Sequence, residues 1–571
     1  MAAEGTVPGL AEVHVQRDVE CRMRDGTVLR ADVYRPAGGG DRPVLLQRSP
    51  YDKQIAQSDQ AYPHPAWYAA HGYVVVAQDV RGRWSSDGEF YPFLHEADDG
   101  RDTVEWAARL PGCDGRVAMY GFSYSGATQL LAAAARPPSL AAVCPALTAS
   151  QMYEGWTYRG GALAQAFVSS WAAFLATGEA ARRGDGDALD SLGAALLHAP
   201  EHFWADPAAF PMLDGGLADY YHDWLAHPTY DDYWRRWSID TDYARLEVPA
   251  LHVGGLYDSF LSGTVRNFVG MRRGAASDHA RDRQKLLIAP FTHMPWWPVG
   301  DASAAAGANV VDDWQLRYLA EVLDGTESGV FDHPVTAWVL GHGWRDFGDW
   351  PPPEATATDF FLHSGGRANT AFGDGSLSEE APGGEPPDFF TYHPAAPAPT
   401  AGGHSCCVDD LTPMGPACQA ERERQRGVLV YTTQRFPADL DVVGDVTLTL
   451  HAVTSATDTD WTARLCLVDP DGCSRNLQEG VLRAAFRESA SDPTPVRPGE
   501  PYEYKIDLGP VCVHVPAGTR LRLQVSSSDF PQWARNMNTG WPPQPGIQVA
   551  TQTVLHDEAH PSRLTVPLVR P

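Results

Sequence analysis

Short apolar runs alternate with amphipathic stretches between residues 25 and 135. The runs RPVLLQRSPY (42–51) and GYVVVAQDVRG (72–82) end at turns or polar loops and are typical of buried strands. HEADDGRDTVEWAARL (95–110) has helical periodicity with acids in its early part, and GRVAMYG (115–121) is the next apolar strand. This β-α-β order predicts a mostly parallel sheet with helices on both faces, with catalytic residues on loops at the carboxyl ends of the strands.

The alternation stops after AAVCPAL (141–147) and returns about a hundred residues later. Residues 150–245 are rich in Trp, Tyr, Ala and Leu and poor in β-branched residues, which predicts a helical cap inserted in the sheet domain. Two further strands with loops follow, in VPALHVGGLYDSF (248–260) and QKLLIAPFTHMPWWP (284–298). DDWQLRYLAEVLDG (312–325) then predicts another amphipathic helix.

From about residue 335 the pattern changes to alternating apolar and polar positions separated by turns rich in Pro and Gly. Such runs are DVTLTLHAV (445–453), TARLCLVDPDG (462–472), YEYKIDLG (502–509) and TRLRLQVSSS (519–528). They predict an antiparallel β-sandwich or jelly roll. The expected domains are an α/β core (1–147 and 246–335), a helical cap (148–245) and a jelly roll (336–571).

Composition narrows the class of protein. A chain of 571 residues is too long to fold around one compact core, so two or three domains are expected. The formal net charge of -28 argues against nucleic acid and anionic membranes as partners. The sequence contains no run of about 18 apolar residues, so no membrane-spanning helix is predicted. The first residues do not resemble a signal peptide. The expectation is a soluble cytoplasmic protein whose nine cysteines are reduced.

The stretch VAMYGFSYSGATQLLAAAA (117–135) puts Ser123 on a sharp turn between a strand and a helix. This arrangement is typical of the nucleophile elbow of α/β-hydrolases, in which small residues flank the serine because strand and helix pack closely. Gly121 fits the pattern, whereas Ser125 stands where a second glycine is usual and Gly126 follows it. The alternative is a tight structural turn without a catalytic role.

An activated serine also needs a base and an acid, which follow the nucleophile in the order Ser, Asp, His in this fold. Asp258 follows the strand ALHVGGLY, and His293 follows KLLIAPFT, so each lies at the predicted end of a strand. His293 would accept the Ser123 proton, and Asp258 would orient the imidazole. The alternatives are a loop-capping aspartate and a surface histidine.

Several longer motifs make the chain resemble the CocE/NonD family of serine hydrolases, which is related to the Xaa-Pro dipeptidyl-peptidases. The matching stretches are RSPYDK (48–53), AQDVRGRWSSDGEF (77–90), GFSYSG (121–126), GGLYDSF (254–260), APFTH (289–293), DTDWTARLCLVDPDG (458–472) and SSSDFPQWARNMNTG (526–540). They cover almost the whole chain in the right order.

The resemblance implies an α/β-hydrolase core, a helical cap, a C-terminal jelly roll and the triad Ser123, Asp258 and His293. It also implies an oxyanion hole formed by the backbone N–H of Tyr124 and the hydroxyl of Tyr51. A phenol is a stronger donor than an amide N–H, so the hydroxyl would suit a developing oxyanion. The alternative for Tyr51 is a packing role.

The resemblance to the cocaine esterase branch implies that Trp156 and Trp171 line an acyl pocket, and Phe260 is a further candidate for its wall. Packing of these rings in the core is the alternative. The α-amino acid ester hydrolase branch is less favoured, because no acid directly follows Asp258. Asp312 and Asp313 could replace that acid, but they more simply favour the start of a helix. Acids of the cap such as Glu154 are the other candidates for binding an amine.

The predicted function is hydrolysis of a carboxylic ester of a small-molecule acyl substrate. The alternatives are amide, peptide or β-lactam side-chain acylase activity, including Xaa-Pro dipeptidyl-peptidase-like activity, acyl transfer in a biosynthetic pathway, and a non-catalytic binding role. No cofactor or metal is expected, because the cluster of His404, Cys406, Cys407 and Cys418 lacks usual zinc-finger spacing and no phosphate-binding loop is present. A homodimer is one assembly that the sequence permits.

Overall fold

The computed structural model consists of an α/β core, a cap and an all-β domain. It describes residues 12–38, 40–54, 64–197, 203–204, 206–210, 213–293, 299, 310–407 and 411–570. This architecture confirms the predicted fold class. Among these residues, no helix is both long and apolar enough to cross a bilayer.

The core is built on a ten-stranded mixed sheet. Its strands are β1 (Val13–Arg22), β2 (Val28–Pro36), β3 (Arg42–Ser49), β4 (Val74–Asp79), β5 (Cys113–Phe122), β6 (Leu140–Ala146), β9 (Ala250–Tyr257), β10 (Gln284–Thr292), β11 (Val335–Val339) and β12 (Gly343–Phe347). They lie in the order β1-β2-β4-β3-β5-β6-β9-β10-β11-β12, and the strands from β4 to β11 are parallel. The expected domain boundary between residues 335 and 336 falls at the start of β11, which belongs to this sheet.

Helices cover both faces of the sheet, as the apolar strands predict. The core helices are α1 (Pro65–Ala70), α2 (Glu96–Ala107), α3 (Tyr124–Ala134), α8 (Leu261–Gly274), α9 (Asp278–Asp282) and α10 (Val310–Asp324). Alternate residues of β5 enter different hydrophobic clusters, with Met119 on one side and Tyr120 on the other. Both faces of the sheet are therefore buried.

The cap follows β6 and is mainly helical. It contains a short hairpin of β7 (Tyr158–Arg159) and β8 (Ala162–Leu163), and the helices α4 (Gln165–Arg183), α5 (Gly186–Leu197), α6 (Asp219–Ala226) and α7 (Asp232–Arg235). Helix α4 ends because Gly184 takes a left-handed conformation with φ of 68°. The apolar face of α4 carries Trp171 into the core.

The C-terminal domain has an eleven-stranded sheet and no α-helix among its described residues. Its strands are β13 (Thr356–His363), β14 (Ser376–Ser378), β15 (Asp388–Tyr392), β16 (Leu429–Thr433), β17 (Leu440–Thr454), β18 (Asp460–Val468), β19 (Ser474–Arg483), β20 (Tyr502–Val515), β21 (Arg520–Ser526), β22 (Ala550–Leu555) and β23 (Arg563–Val569). The four alternating runs found in the sequence fall on β17, β18, β20 and β21. Period-two burial follows from the pleat of the strand and is clearest in β15.

The all-β domain contacts the core near the end of β9. The hydroxyl of Tyr257, the last residue of that strand, donates a hydrogen bond of 2.8 Å to the carbonyl of Asn476. The Nε2 of His404 donates one of 2.7 Å to the carbonyl of Leu256. Two residues that precede Asp258 are thus bonded to the C-terminal domain.

Candidate active site

Ser123 lies on a sharp turn between β5 and α3. Its φ of 59° and ψ of -125° form a strained conformation for a residue with a side chain. Glycine is required on both sides, because a Cβ at Gly121 would lie 2.6 Å from the Cβ of Ser125, and one at Gly126 would lie 2.8 Å from the carbonyl oxygen of Ala146. The turn therefore needs glycine at 126, one residue later than the usual pattern.

Ser123, His293 and Asp258 form a continuous hydrogen-bonded chain. The Nε2 of His293 lies 3.1 Å from the Oγ of Ser123, and its Nδ1 lies 2.7 Å from the Oδ1 of Asp258. All three side chains are buried. Asp258 and His293 meet because each directly follows one of the parallel neighbours β9 and β10, whose ends lie at the same edge of the sheet. The geometry allows His293 to take a proton from Ser123 while Asp258 fixes the ring.

Tyr51 lies just beyond the end of β3 and is oriented by the cap. The indole Nε1 of Trp171 donates a hydrogen bond of 3.0 Å to the Tyr51 hydroxyl. Burial raises the pKa of Tyr51 to about 12, although hydrogen bonds with Trp171 and Ser123 oppose this rise. Tyr51 is therefore a neutral phenol at neutral pH and retains a proton that it can donate near Ser123.

Tyr124 contributes its backbone and its side chain in different ways. Its N–H lies in the first turn of α3 and donates to no other described residue, so it is free to bind an oxyanion. Its hydroxyl donates to the Oε1 of Glu96 at 2.8 Å and accepts from the N–H of Phe93 at 3.0 Å. Burial and the charge of Glu96 raise the pKa of this hydroxyl well above its usual value.

Sequence reasoning missed the ion pair beneath this turn. Arg48 donates to the Oε2 of Glu96 at 2.7 Å, and both side chains are almost completely buried. With Tyr124 they form the elbow network, which connects the end of β3, the start of α2 and the start of α3. An arginine within the apolar run of β3 was the available signal, because a buried charge needs a partner.

Trp156, Trp171 and Phe260 form one cluster beside His293, here called the aromatic wall. Trp156 stacks on Phe260 with ring centroids 4.6 Å apart, and Trp171 meets Trp156 edge-on at 5.4 Å. Phe260 approaches the imidazole of His293 at 5.0 Å. The three residues border the triad and also pack with one another. Their positions are therefore compatible with both roles considered from the sequence, the wall of an acyl pocket and packing in the core.

The acids considered for binding an amine have other partners. Asp312 is buried and hydrogen-bonded to the hydroxyl of Tyr68 on α1. Glu154 accepts a hydrogen bond from the N–H of Gly160 at 3.1 Å. Burial raises the pKa of Glu154, while the charges of Arg266 and Arg159 oppose that rise. Glu154 lines a cavity with both arginines rather than contacting Ser123 or His293.

The four residues grouped in the sequence have separate partners in the structure. They are His404, Cys406, Cys407 and Cys418. Cys418 lies with its sulfur 4.0 Å from that of Cys473, and both nitrogens of His404 are engaged, by Glu479 and the carbonyl of Leu256. The sulfurs of Cys406 and Cys407 are joined in a disulfide, so the expectation of nine reduced cysteines is wrong for this pair. The left-handed backbone at Cys407, with φ of 76°, accompanies this side-by-side placement.

Comparisons with known proteins match both halves of the chain. Residues 25–295 match the family described as X-Pro dipeptidyl-peptidase (S15 family), and residues 328–565 match the X-Pro dipeptidyl-peptidase C-terminal non-catalytic domain. The cocaine esterase of Rhodococcus sp. (strain MB1 Bresler) is 34% identical over 587 residues, which cover 97% of this chain and 99% of the esterase.

Two solved structures share the fold over 100% of this chain at 23% identity. One is an aminopeptidase from the marine sediment archaeon Thaumarchaeota archaeon, with a TM-score of 0.78 and 99% of its chain covered. The other is an α-amino acid ester hydrolase, with a TM-score of 0.77 and 98% covered. The match to cocaine esterase confirms the family resemblance, and the two solved structures confirm the fold class.

Proposed function

Because the chain belongs to the CocE/NonD family of serine hydrolases, we propose that it hydrolyses carboxylic esters through an acyl-enzyme on Ser123. The observation that carries this proposal is the buried chain of hydrogen bonds from Ser123 through His293 to Asp258. The similarity to cocaine esterase over nearly all of both chains supports an ester as the substrate.

In the first half-reaction the Oγ of Ser123 attacks the ester carbonyl, and the Nε2 of His293 takes the hydroxyl proton. Asp258 stabilises the imidazolium that forms. The carbonyl oxygen becomes an oxyanion that accepts hydrogen bonds from the Tyr51 hydroxyl and the Tyr124 N–H. His293 then gives its proton to the departing alcohol, and the C–O bond to that alcohol breaks.

In the second half-reaction a water molecule replaces the alcohol. His293 takes one proton from the water, and the resulting hydroxide attacks the acyl carbon. The same two donors bind the second oxyanion. Collapse of this intermediate breaks the bond to Ser123, whose Oγ recovers its proton from His293, and the carboxylic acid leaves.

The aromatic wall favours an aryl or other apolar acyl group. Trp156, Trp171 and Phe260 offer ring faces and edges beside His293, and such surfaces suit flat apolar groups. Neither Asp312 nor Glu154 contacts the triad, so a substrate ammonium would lack a partner there. An unpaired buried charge costs several kcal/mol, so we expect at least a ~10²-fold preference against free α-amino acid esters.

The nucleophile is tested by labelling with a fluorophosphonate, followed by mass spectrometry of the peptides. We expect the adduct on Ser123 and loss of both labelling and ester hydrolysis in Ser123→Ala. Ser125→Ala is the matched control, since Ser125 is a buried serine of the same turn. An adduct on another residue, or full activity in Ser123→Ala, would contradict the assignment.

The acyl preference is tested with two methyl esters that differ only in an amino group, those of phenylglycine and phenylacetic acid. We expect kcat/KM to be higher for the phenylacetic ester. A higher value for the phenylglycine ester would show that an amine-binding group reaches the pocket.

A further inference from the structure

Three groups with affinity for soft metal ions converge at the proposed catalytic base. The sulfurs of Cys406 and Cys407 and a ring nitrogen of His293 all lie within 4.8 Å of one another. Cys406 and His293 are buried, whereas Cys407 is exposed. An ion could therefore reach the group from solvent on the Cys407 side.

We propose that, once Cys406 and Cys407 are reduced, their thiolates and the Nε2 of His293 bind one thiophilic divalent cation such as Zn²⁺ or Cd²⁺. An ion bound at this site would inhibit the enzyme. The ligand would be Nε2, because Nδ1 is held by Asp258 at 2.7 Å, and Nε2 would give up its hydrogen bond of 3.1 Å with Ser123. Two thiolates and an imidazole are a common ligand set for zinc, and water would complete four-fold coordination.

The distances are compatible with one ion. Zinc binds sulfur at about 2.3 Å and nitrogen at about 2.0–2.1 Å, so two ligand atoms of a tetrahedral site lie about 3.5–3.8 Å apart. The three ligand atoms already lie within 4.8 Å of one another, and the two sulfurs, which are bonded in the disulfide, must move apart after reduction before both can bind the ion.

The surroundings of His293 favour metal binding for an independent reason. Zinc-binding histidines commonly donate their second ring N–H to a carboxylate, which fixes the ring and makes the ligating nitrogen more basic. Asp258 is bonded to His293 in this way. The arrangement that would make His293 a good base would also make it a good ligand.

The contact between domains holds the two cysteines in this position. They follow His404, whose Nε2 donates to the carbonyl of Leu256. Leu256 lies in β9, two residues before Asp258. The loop that carries the sulfurs is therefore attached to the strand that presents the acid of the triad.

Binding depends on the redox state of the pair. Reduction adds two electrons and two protons to the disulfide, and an added phosphine can supply the electrons while it becomes a phosphine oxide with oxygen from water. The cation then replaces the two thiol protons. While Cys406 and Cys407 form the disulfide, neither offers a thiolate, and this site should not bind the ion.

Inhibition, unlike binding, rests on the proposed function. An ion on Nε2 occupies the lone pair that would accept the Ser123 proton and breaks the hydrogen bond between His293 and Ser123. We expect ester hydrolysis by the reduced protein to fall at least tenfold when one equivalent of ion is bound.

The test measures binding and activity separately on the full-length protein. After phosphine treatment and removal of the phosphine without oxygen, thiol titration in denaturant should give nine thiols, against seven before. Cd²⁺ is then added, and the thiolate-to-cadmium charge-transfer absorption reports binding. Zn²⁺ inhibition is expressed as a ratio of rates with and without the ion for each protein.

Two double variants discriminate the site. We expect Cys406→Ser/Cys407→Ser to lose the charge-transfer band and the zinc sensitivity. Cys418→Ser/Cys473→Ser is the matched control, because it removes another close pair of sulfurs and should leave both readouts unchanged. His293→Ala should weaken cadmium binding while leaving the two thiols in place.

Equal zinc sensitivity in the wild type and in Cys406→Ser/Cys407→Ser would overturn the proposal, as would a reduced wild type that gives no cadmium band. Equal sensitivity before and after reduction, with seven thiols before, would also overturn it. The cadmium band does not depend on turnover, so a protein that lacks esterase activity but binds cadmium at this site would contradict only the proposed function.

Discussion

The elbow network, which includes Tyr124 next to Ser123, and the aromatic wall beside His293 are held together by different forces. Arg48, Glu96 and Tyr124 form directional, charge-assisted hydrogen bonds in a dry interior. The wall of Trp156, Trp171 and Phe260 is held together mainly by ring packing. The nucleophile therefore rests on contacts that tolerate little change, while the pocket is shaped by contacts that can rearrange.

Trp171 connects the two regions, because its ring belongs to the wall and lies 6.1 Å from that of Tyr124 between centroids, and its indole N–H also donates to the Tyr51 hydroxyl. Changes at this residue should therefore affect both the rate and the binding of the acyl group. The predictions below separate these contributions.

Breaking the elbow network should have the largest effect. Glu96→Gln removes the charge that pairs with Arg48, and leaving a buried charge unpaired costs about 3–5 kcal/mol of unfolding free energy. Denaturant unfolding followed by circular dichroism measures the loss.

Asp98→Asn is the control for this substitution, since Asp98 is an acid of the same helix that pairs with Arg24 and its side chain is 70% exposed. It should cost about 1 kcal/mol or less. Similar losses in the two variants would mean that the network does not support the turn.

Tyr51→Phe should lower kcat about 10²–10³-fold and leave KM nearly unchanged. The phenol acts on the oxyanion, which exists only during the reaction, whereas the ring still packs as before. Steady-state kinetics with one aryl ester measure both constants. An increase confined to KM would assign Tyr51 to substrate binding instead.

Substitutions of Trp171 should separate the effect of its N–H on kcat from the effect of its ring on KM. Trp171→Phe retains a ring in the wall but removes the hydrogen bond to Tyr51, so kcat should fall about twofold to tenfold. Trp171→Ala should in addition raise KM for aryl esters, with little change in KM for acetyl esters. If Trp171→Phe raised KM as much as Trp171→Ala did, the N–H and not the ring would control binding.

The smallest effect concerns pH. Burial raises the pKa of Tyr51 to about 12, so the folded protein retains this proton above the usual tyrosine pKa of about 10. The ratio of kcat between the wild type and Tyr51→Phe should therefore be constant from pH 7 to about pH 10. Between about pH 10 and 12 the folded state binds more protons than the unfolded state, so the contribution of Tyr51 to stability falls as pH rises.

A ratio that declined below pH 10 would show that Tyr51 ionises more easily than its surroundings imply. The stability window is measured by unfolding at several alkaline pH values. Tyr51→Phe should lack the part of the decline that this group causes.

The sequence predicted what depends on local order along the chain. The turn at Ser123 and the strand ends before Asp258 and His293 follow from short apolar runs and small residues. Parallel pairing of adjacent strands then brings the two residues to one edge of the sheet.

Contacts between distant segments were not predictable in this way. No periodicity indicates that Glu96 lies under Tyr124, or that the indole of Trp171 reaches Tyr51. Cys406 and Cys407 were visible as neighbours in the sequence, but their position beside His293 depends on how the two large domains meet.

That meeting of domains also sets a sequence of events during synthesis. A ribosome releases Ser123, Asp258 and His293 well before Asn476, whose carbonyl accepts the hydrogen bond from Tyr257 beside the acid. His404 likewise emerges after all three. A nascent chain would therefore carry these three side chains for some time without the contacts from the C-terminal domain that lie behind them.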